Sequence, residues 1–159
     1  MSEVHVTGLK ELAQFLDELP RKLQNNVMRG ALRAGLKPVL ADAKSGAAYA
    51  TGELRDGLKI STASRGGVVT GSIKAKGEHG FLAQFVEYGT GANRTIPLKR
   101  ARRKWPADRQ GQPARPFMRP ALDAQASAAV VAAAEYMKDR LATKHGLDTS
   151  DVVIEGDES

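Results

Sequence analysis

Three observations predict an α+β fold for this chain of 159 residues. Apolar residues recur at helical spacing through the first third and again after Pro120. Strand-like alternation is confined to residues 57–74. A glycine pair, Gly66-Gly67, divides that alternation in the manner of a hairpin. The arrangement expected is a small antiparallel β-sheet packed against N-terminal helices and a long C-terminal helix. A long basic projecting loop precedes the last helix.

Each element has its own signal. Leu9, Leu12, Leu16 and Leu19 form one face of a helix over residues 8–19, with Thr7 or Gly8 as cap. Pro20 closes it or opens the next helix, where a missing N–H costs nothing. Residues 21–48 form a second helical stretch. Its apolar stripe of Leu23, Val27, Ala31, Ala34, Val39 and Ala43 shifts near Pro38. A proline there predicts a kink or two helices, with Gly35 easing the bend. Residues 50–54 read as a turn, and 57–64 and 68–74 as antiparallel strands around Arg65-Gly66-Gly67. Residues 81–88 are apolar enough for a buried strand or a short helix, and periodicity cannot separate the two at that length. Pro120 suits the first turn of a last helix over 121–143, with a stripe of Leu122, Ala126, Ala129, Val130, Ala133, Met137 and Leu141. Gly146 ends it. The domain organisation expected is one α+β domain over 1–146, with a basic arm at 92–113. An acidic tail at 147–159 carries five acids and no base and reads as disordered.

Composition narrows the chemistry. The chain has no cysteine, which excludes disulfides, thiolate zinc sites and a Cys nucleophile. No apolar run reaches the ~20 residues that cross a bilayer, and residues 1–7 show no secretory pattern. The expectation is a soluble protein, intracellular when made. Aromatic residues are scarce, so the core must rest on Leu, Val and Ala. No phosphate loop or dinucleotide fingerprint is present. His5, His79 and His145 lack metal-ligand spacing and read as solvated. Ser61, Ser64 and Ser72 have no local His partner. Glu53 and Glu87 could be imagined as an acid–base pair. The plainer reading puts Glu53 in a polar turn and lets Glu87 cap backbone N–H groups or pair with an arginine of the arm. Catalytic, cofactor-binding and metal-binding residues are therefore expected to be absent, with no small-molecule substrate.

Charge is the strongest signal. Residues 92–119 carry nine Lys or Arg against one Asp, whereas the whole chain is only +6, so the basicity is local. A local patch reports on a contact surface. Arg94, Lys99, Arg100, Arg102, Arg103, Lys104, Trp105 and Arg109 are the contact residues expected. Their pattern suits phosphate neutralisation with one stacking aromatic. It suits equally a protein interface, where Trp and Arg are enriched. Charge alone leaves both partners open. At the two ends of the arm, Phe85, Glu87, Gly89 and Thr90 on one side and Arg115, Pro116, Phe117, Met118 and Pro120 on the other read as anchors. Burying Phe117 would stabilise by about 1.5–3 kcal/mol.

Five phrases carry a family likeness in their order and spacing: Gly8-Leu9-Lys10-Glu11-Leu12, Ala31-Leu32-Arg33-Ala34-Gly35, Thr51-Gly52-Glu53-Leu54-Arg55, Phe85-Val86-Glu87-Tyr88-Gly89-Thr90, and Ala114-Arg115-Pro116-Phe117-Met118-Arg119-Pro120-Ala121-Leu122. Over residues 4–141 the chain resembles the tail-completion, or head–tail joining, family of lambdoid long-tailed bacteriophages, the gene-product-ten-like minor tail proteins. It departs from the family in Ala48-Tyr49-Ala50 before Thr51-Gly52, and in a longer, more basic arm. The resemblance implies a structural, non-enzymatic virion protein made in the host cytoplasm. It implies a homo-oligomeric ring, hexameric to match the tail, in the neck between the capsid connector and the tail tube. Neighbouring neck, connector and tail-tube proteins would be its partners, with nonspecific contact to DNA in the lumen. The alternative is a nucleic-acid-binding module acting through the basic arm.

Overall fold

The computed structural model describes residues 9–47, 52–78, 80–90, 111–146 and 149. In chain order the elements are α1 (Leu9–Asp17), α2 (Arg21–Gly46), α3 (Glu53–Gly57), β1 (Leu58–Arg65), β2 (Val68–Ala75), α4 (Leu82–Tyr88), α5 (Met118–Ala124) and α6 (Ala126–His145). Two antiparallel strands and a set of helices make an α+β fold. Helix α2 is its spine: it packs against α6, both strands and α5.

Of the kink or two helices expected at Pro38, the second does not occur. Helix α2 runs unbroken for 26 residues with Pro38 inside it. Proline gives up one backbone hydrogen bond there, but packing on both sides of that turn holds the helix. The buried row is Val27, Ala31, Gly35, Val39 and Ala43, at a constant spacing of four. With Gly35 in the row instead of Ala34, the stripe does not jump. At 3.6 residues per turn, a spacing of four rotates the row by about 40° per step. One continuous row can therefore serve several neighbours along the helix. Gly35 is a point of contact. A Cβ there would sit 2.5 Å from the Ala129 carbonyl oxygen, so the missing side chain sets how closely α6 approaches. Five residues earlier, a Cβ at Gly30 would run into the Tyr136 ring.

The hairpin follows the sequence closely. Ile60 pairs with Ile73 and Thr62 with Gly71, and Arg65 pairs with Val68 across the turn. Gly66 and Gly67 both have positive φ, 59° and 84°, the backbone a two-residue hairpin of matching twist requires. Residues Leu32 and Leu36 of α2 approach the Cβ position of Gly71, which places the hairpin on the spine. The turn expected near residues 50–54 contains one helical turn, α3, opened by Gly52 at φ 79°. Residues 48–51 lie outside the described residues.

Two core clusters result. One joins Ala43 and Ala47 of α2 to Leu58, Ala83, Phe117 and Ala121. The other joins Leu12 of α1 to Ala134 and Leu141 of α6. Small residues on α2 and α6 make a shallow interface, and contact relies on close approach. The last helix is two pieces, not one. It starts three residues before the expected position and breaks at Gln125, whose ψ is 12°. The ladder almost survives the joint: Gln125 N–H donates to the Ala121 carbonyl at 3.2 Å, and Ala129 N–H to that of Gln125 at 2.9 Å. Gly146, at φ 65°, ends α6 as expected. Of the acidic tail only Thr149 is described, and it is buried. It lines a shallow pocket with Tyr136, Lys138, Asp139 and Ala142 of α6. The rest of 147–159 lies outside the described residues. No helix among the described residues is long and apolar enough to cross a membrane.

The close approach at Gly35 is testable. Gly35→Val should destabilise the protein by about 1–3 kcal/mol, the cost of overpacking. Denaturant unfolding reads this directly, and an unshifted midpoint would show that α6 is free to retreat.

Candidate interaction site: a clamped stem below the basic segment

Helix α4 is held by its inner face. Ala83 and Glu87, four residues apart, are its buried residues. Glu87 is 7% exposed, unusual for a carboxylate. Its surroundings explain how it is tolerated. Oε2 accepts hydrogen bonds from the N–H of Phe117 at 2.8 Å and of Met118 at 3.0 Å, and Oε1 accepts one from Arg119 at 3.2 Å. These residues open α5. A helix begins with four N–H groups that have no partner within it. Glu87 takes three of them, and the fourth position is Pro120, which has no N–H. The helix start is thus fully satisfied by one side chain and one proline.

The electrostatics agree. Burial alone would raise the pKa of the Glu87 carboxyl. The hydrogen bonds from Met118, Phe117 and Arg119, with the Arg119 charge, outweigh burial and hold it below its ordinary value. A negative charge at a helix start also meets the positive end of the helix dipole.

Beyond Glu87 the two chain segments are zipped backbone to backbone. Arg115 N–H donates to the Val86 carbonyl at 2.8 Å, and Thr90 N–H to the Gln112 carbonyl at 2.9 Å. Gln112 N–H returns a bond to Thr90 Oγ1 at 2.8 Å. Gly89 makes the approach possible. Its φ is 73°, and a Cβ there would meet Ala114 N and the Gln112 carbonyl oxygen at 2.8 Å. At the rim, the Arg119 guanidinium lies 4.9 Å from the Tyr88 ring centre. Its Nη2 donates to the Tyr88 hydroxyl at 3.3 Å.

The anchors foreseen from sequence therefore act unequally. Glu87, Gly89 and Thr90 make the stem on one side. Phe117, Met118 and Arg115 meet them through backbone N–H groups, and Pro120 spares the helix a donor. Phe117 also enters the core at 3% exposure, whereas Pro116 is exposed. Phe85 faces the other way. The buried strand or helix expected at 81–88 is a helix whose aromatic face is turned outward, because Ala83 and Glu87 occupy the inward face. Phe81, Phe85 and Tyr88 are 60%, 40% and 60% exposed. Gln112 was not foreseen; it acts through its backbone groups, so no side-chain signal marks it.

Arg94, Lys99, Arg100, Arg102, Arg103, Lys104, Trp105 and Arg109 all lie outside the described residues, as do His5 and His79. The imagined Glu53–Glu87 acid–base pair has no support, since both Glu87 oxygens accept N–H bonds. Among the described residues, no group of three or more His, Asp or Glu is placed to hold a metal ion.

Two predictions follow the geometry. Glu87→Ala leaves three N–H groups without their partner and should cost roughly 1–3 kcal/mol, chiefly for the buried Phe117 N–H. Because the folded-state pKa is lowered, this stability is full above the ordinary glutamate pKa of about 4.3. It fades as pH falls through the lower folded value. The gap in unfolding free energy between wild type and Glu87→Gln should shrink on acidification; a pH-independent gap would contradict the clamp. Gly89→Ala should open the stem. Hydrogen exchange would then show lost protection at the Thr90 and Gln112 amides, with the hairpin amides unchanged.

Comparison with known proteins places this geometry. No curated protein and no solved structure matches the chain significantly. A family model, HK97-gp10-like, described as "Bacteriophage HK97-gp10, putative tail-component", matches residues 10–89. That is half of the chain, from α1 through both strands and α4 to the glycine of the stem. The chain belongs to this HK97-gp10-like family and is a structural component of a bacteriophage tail.

Proposed function

We propose that the protein is a ring-forming tail-completion subunit at the head–tail junction, linking the capsid connector to the tail tube. In this reading residues 1–146 form one domain, and the basic arm is its contact element. Arg94, Lys99, Arg100, Arg102, Arg103, Lys104, Trp105 and Arg109 touch adjacent copies or neighbouring neck proteins. The ring is sixfold, matching the tail, and the protein resides in the virion.

The observation that carries the reading is the clamped stem. Six backbone N–H bonds, three of them to one buried carboxylate, hold together the ends of a 20-residue segment, 91–110. That segment carries seven Lys or Arg and one Asp. A stem this firm fixes where a charged segment leaves the body. A repeated subunit needs such an element, because a ring is built from one patch of each copy meeting a different patch of the next. Family membership supports the location in the tail.

The same seven cations and Trp105 favour the second reading, contact with DNA.

One variant addresses both. Replacing residues 92–110 with a short Gly-Ser turn bridges two ends that already touch, so the fold should persist with a nearly unchanged melting temperature. Phage carrying the variant should accumulate unjoined heads and tails in electron micrographs; normal particle yield would refute the junction role. If the arm instead serves DNA, the wild-type chain should bind duplex with a steep salt slope, about −0.9 per phosphate neutralised, and the variant should not.

A further inference from the structure

The spine helix carries a row of charge that neither the stem nor the core uses. Helix α2 holds six Lys or Arg and one acid, Asp42. Three of the cations, Arg29, Arg33 and Lys37, stand four residues apart and form one ridge. Arg33 and Lys37 are exposed, and Arg29 is half-buried. Arg29 Nε has no hydrogen-bond partner among the described residues. No acid stands three or four residues from any of the three, so the helix supplies no counter-charge of its own. Like charges at this spacing repel one another. Such a row calls for an anion from elsewhere.

We infer that this ridge is covered by the chain's own acidic tail, residues 150–159. Three observations select this occupant. The first is where Thr149 lies. Gly146, at φ 65°, turns the chain out of α6. Thr149 is then buried at 5% exposure against α6, in the shallow pocket lined by Ala132, Tyr136 and Asp139. Tyr136 belongs to both surfaces. Its ring also lies over Gly30 of α2, the residue after Arg29 and three before Arg33. The second is charge. Residues 150–159 hold four acids, Asp151, Glu155, Asp157 and Glu158, and no base. The pocket wall on α6 offers two acids, Glu135 and Asp139, against one base, Lys138, so it does not attract them. The third is reach. Ten residues span at most about 33 Å, whereas the ridge is about 12 Å long at 1.5 Å per residue. The basic segment competes for the tail, but it leaves the body at the stem, whose base meets Gly46. Gly46 lies about 24 Å along α2 from Gly30. A tail tethered at Thr149 meets the ridge at a high effective concentration, which a free polyanion lacks.

Carbodiimide coupling of the full-length protein tests this, because it joins a carboxylate to an amine in contact with it. Lys37 is the amine of the ridge, and Arg33→Lys, which keeps the charge, adds another. Peptide mass spectrometry should find Asp151, Glu155, Asp157 or Glu158 joined to Lys37, and to position 33 in the variant. Coupling should be lost at about 1 M salt, where charges are screened beyond about 3 Å. In a mixture of isotopically light and heavy protein these links should stay within one chain. A second readout is chemical acetylation. Asp151→Asn, Glu155→Gln, Asp157→Asn and Glu158→Gln together should raise the acetylation of Lys37 severalfold. That of Lys22, exposed on the first turn of the same helix, should not change. Links to Lys99 or Lys104 in place of Lys37 overturn the inference and give the tail to the basic segment. Links to Lys138 or Lys144 alone overturn it and leave the tail on α6. Light–heavy links at Lys37 overturn the cover within one chain and show that a second copy supplies the tail. Acetylation of Lys37 that is unmoved by neutralising the tail also overturns it, whether or not a link forms.

Discussion

One buried carboxylate organises the functional half of this protein. Glu87 enters the interior from α4 and is stable there because three N–H groups converge on it. The dependence is mutual. Without the carboxylate, α5 would start with buried unpaired donors; without the donors, the carboxylate would be a charge in an apolar setting. This reciprocity joins residues about 30 positions apart. It also fixes the register of the stem, because Val86, Gly89 and Thr90 follow from the position of Glu87, and Gln112 and Arg115 from that of Phe117.

The clamp also couples the stem to the core. Phe117 donates its N–H to Glu87 and places its ring among Ala43, Ala47, Leu58, Ala83 and Ala121. A Cβ at Gly46 would lie 3.3 Å from that of Phe117, so the end of the spine helix meets the base of the stem directly. Force applied to the basic segment would be borne by α2. For a component of a phage tail, a stem tied to the longest of the described helices is a sound mechanical arrangement.

Much of the fold was legible in the chain. The hairpin was readable because Gly66-Gly67 permits one tight turn and alternation marks both strands. The first helix was readable from four leucines, and the capping role of Glu87 from its place beside Gly89-Thr90. Three features were not. Pro38 argued for a kink or a break, and only the neighbours of α2 show why the helix runs on through it. Gly35 was read as easing a bend, and only the Ala129 carbonyl opposite it shows that it is a point of contact. Phe81, Phe85 and Tyr88 looked like core because hydrophobicity does not say which face of a short helix points inward. The small Ala83 and the acid Glu87 took that face, and the rings were left outside.

The sequence by itself determined the α+β class, the antiparallel hairpin, the local excess of positive charge and the family. These depend on neighbours within a few residues or on composition, and both are written linearly. Tertiary structure decided the unbroken spine, the closed stem and the outward aromatic stripe. Each of these turns on which distant group satisfies a backbone donor or fills a space, and that is known only once residues such as 87 and 117, or 35 and 129, have been brought together.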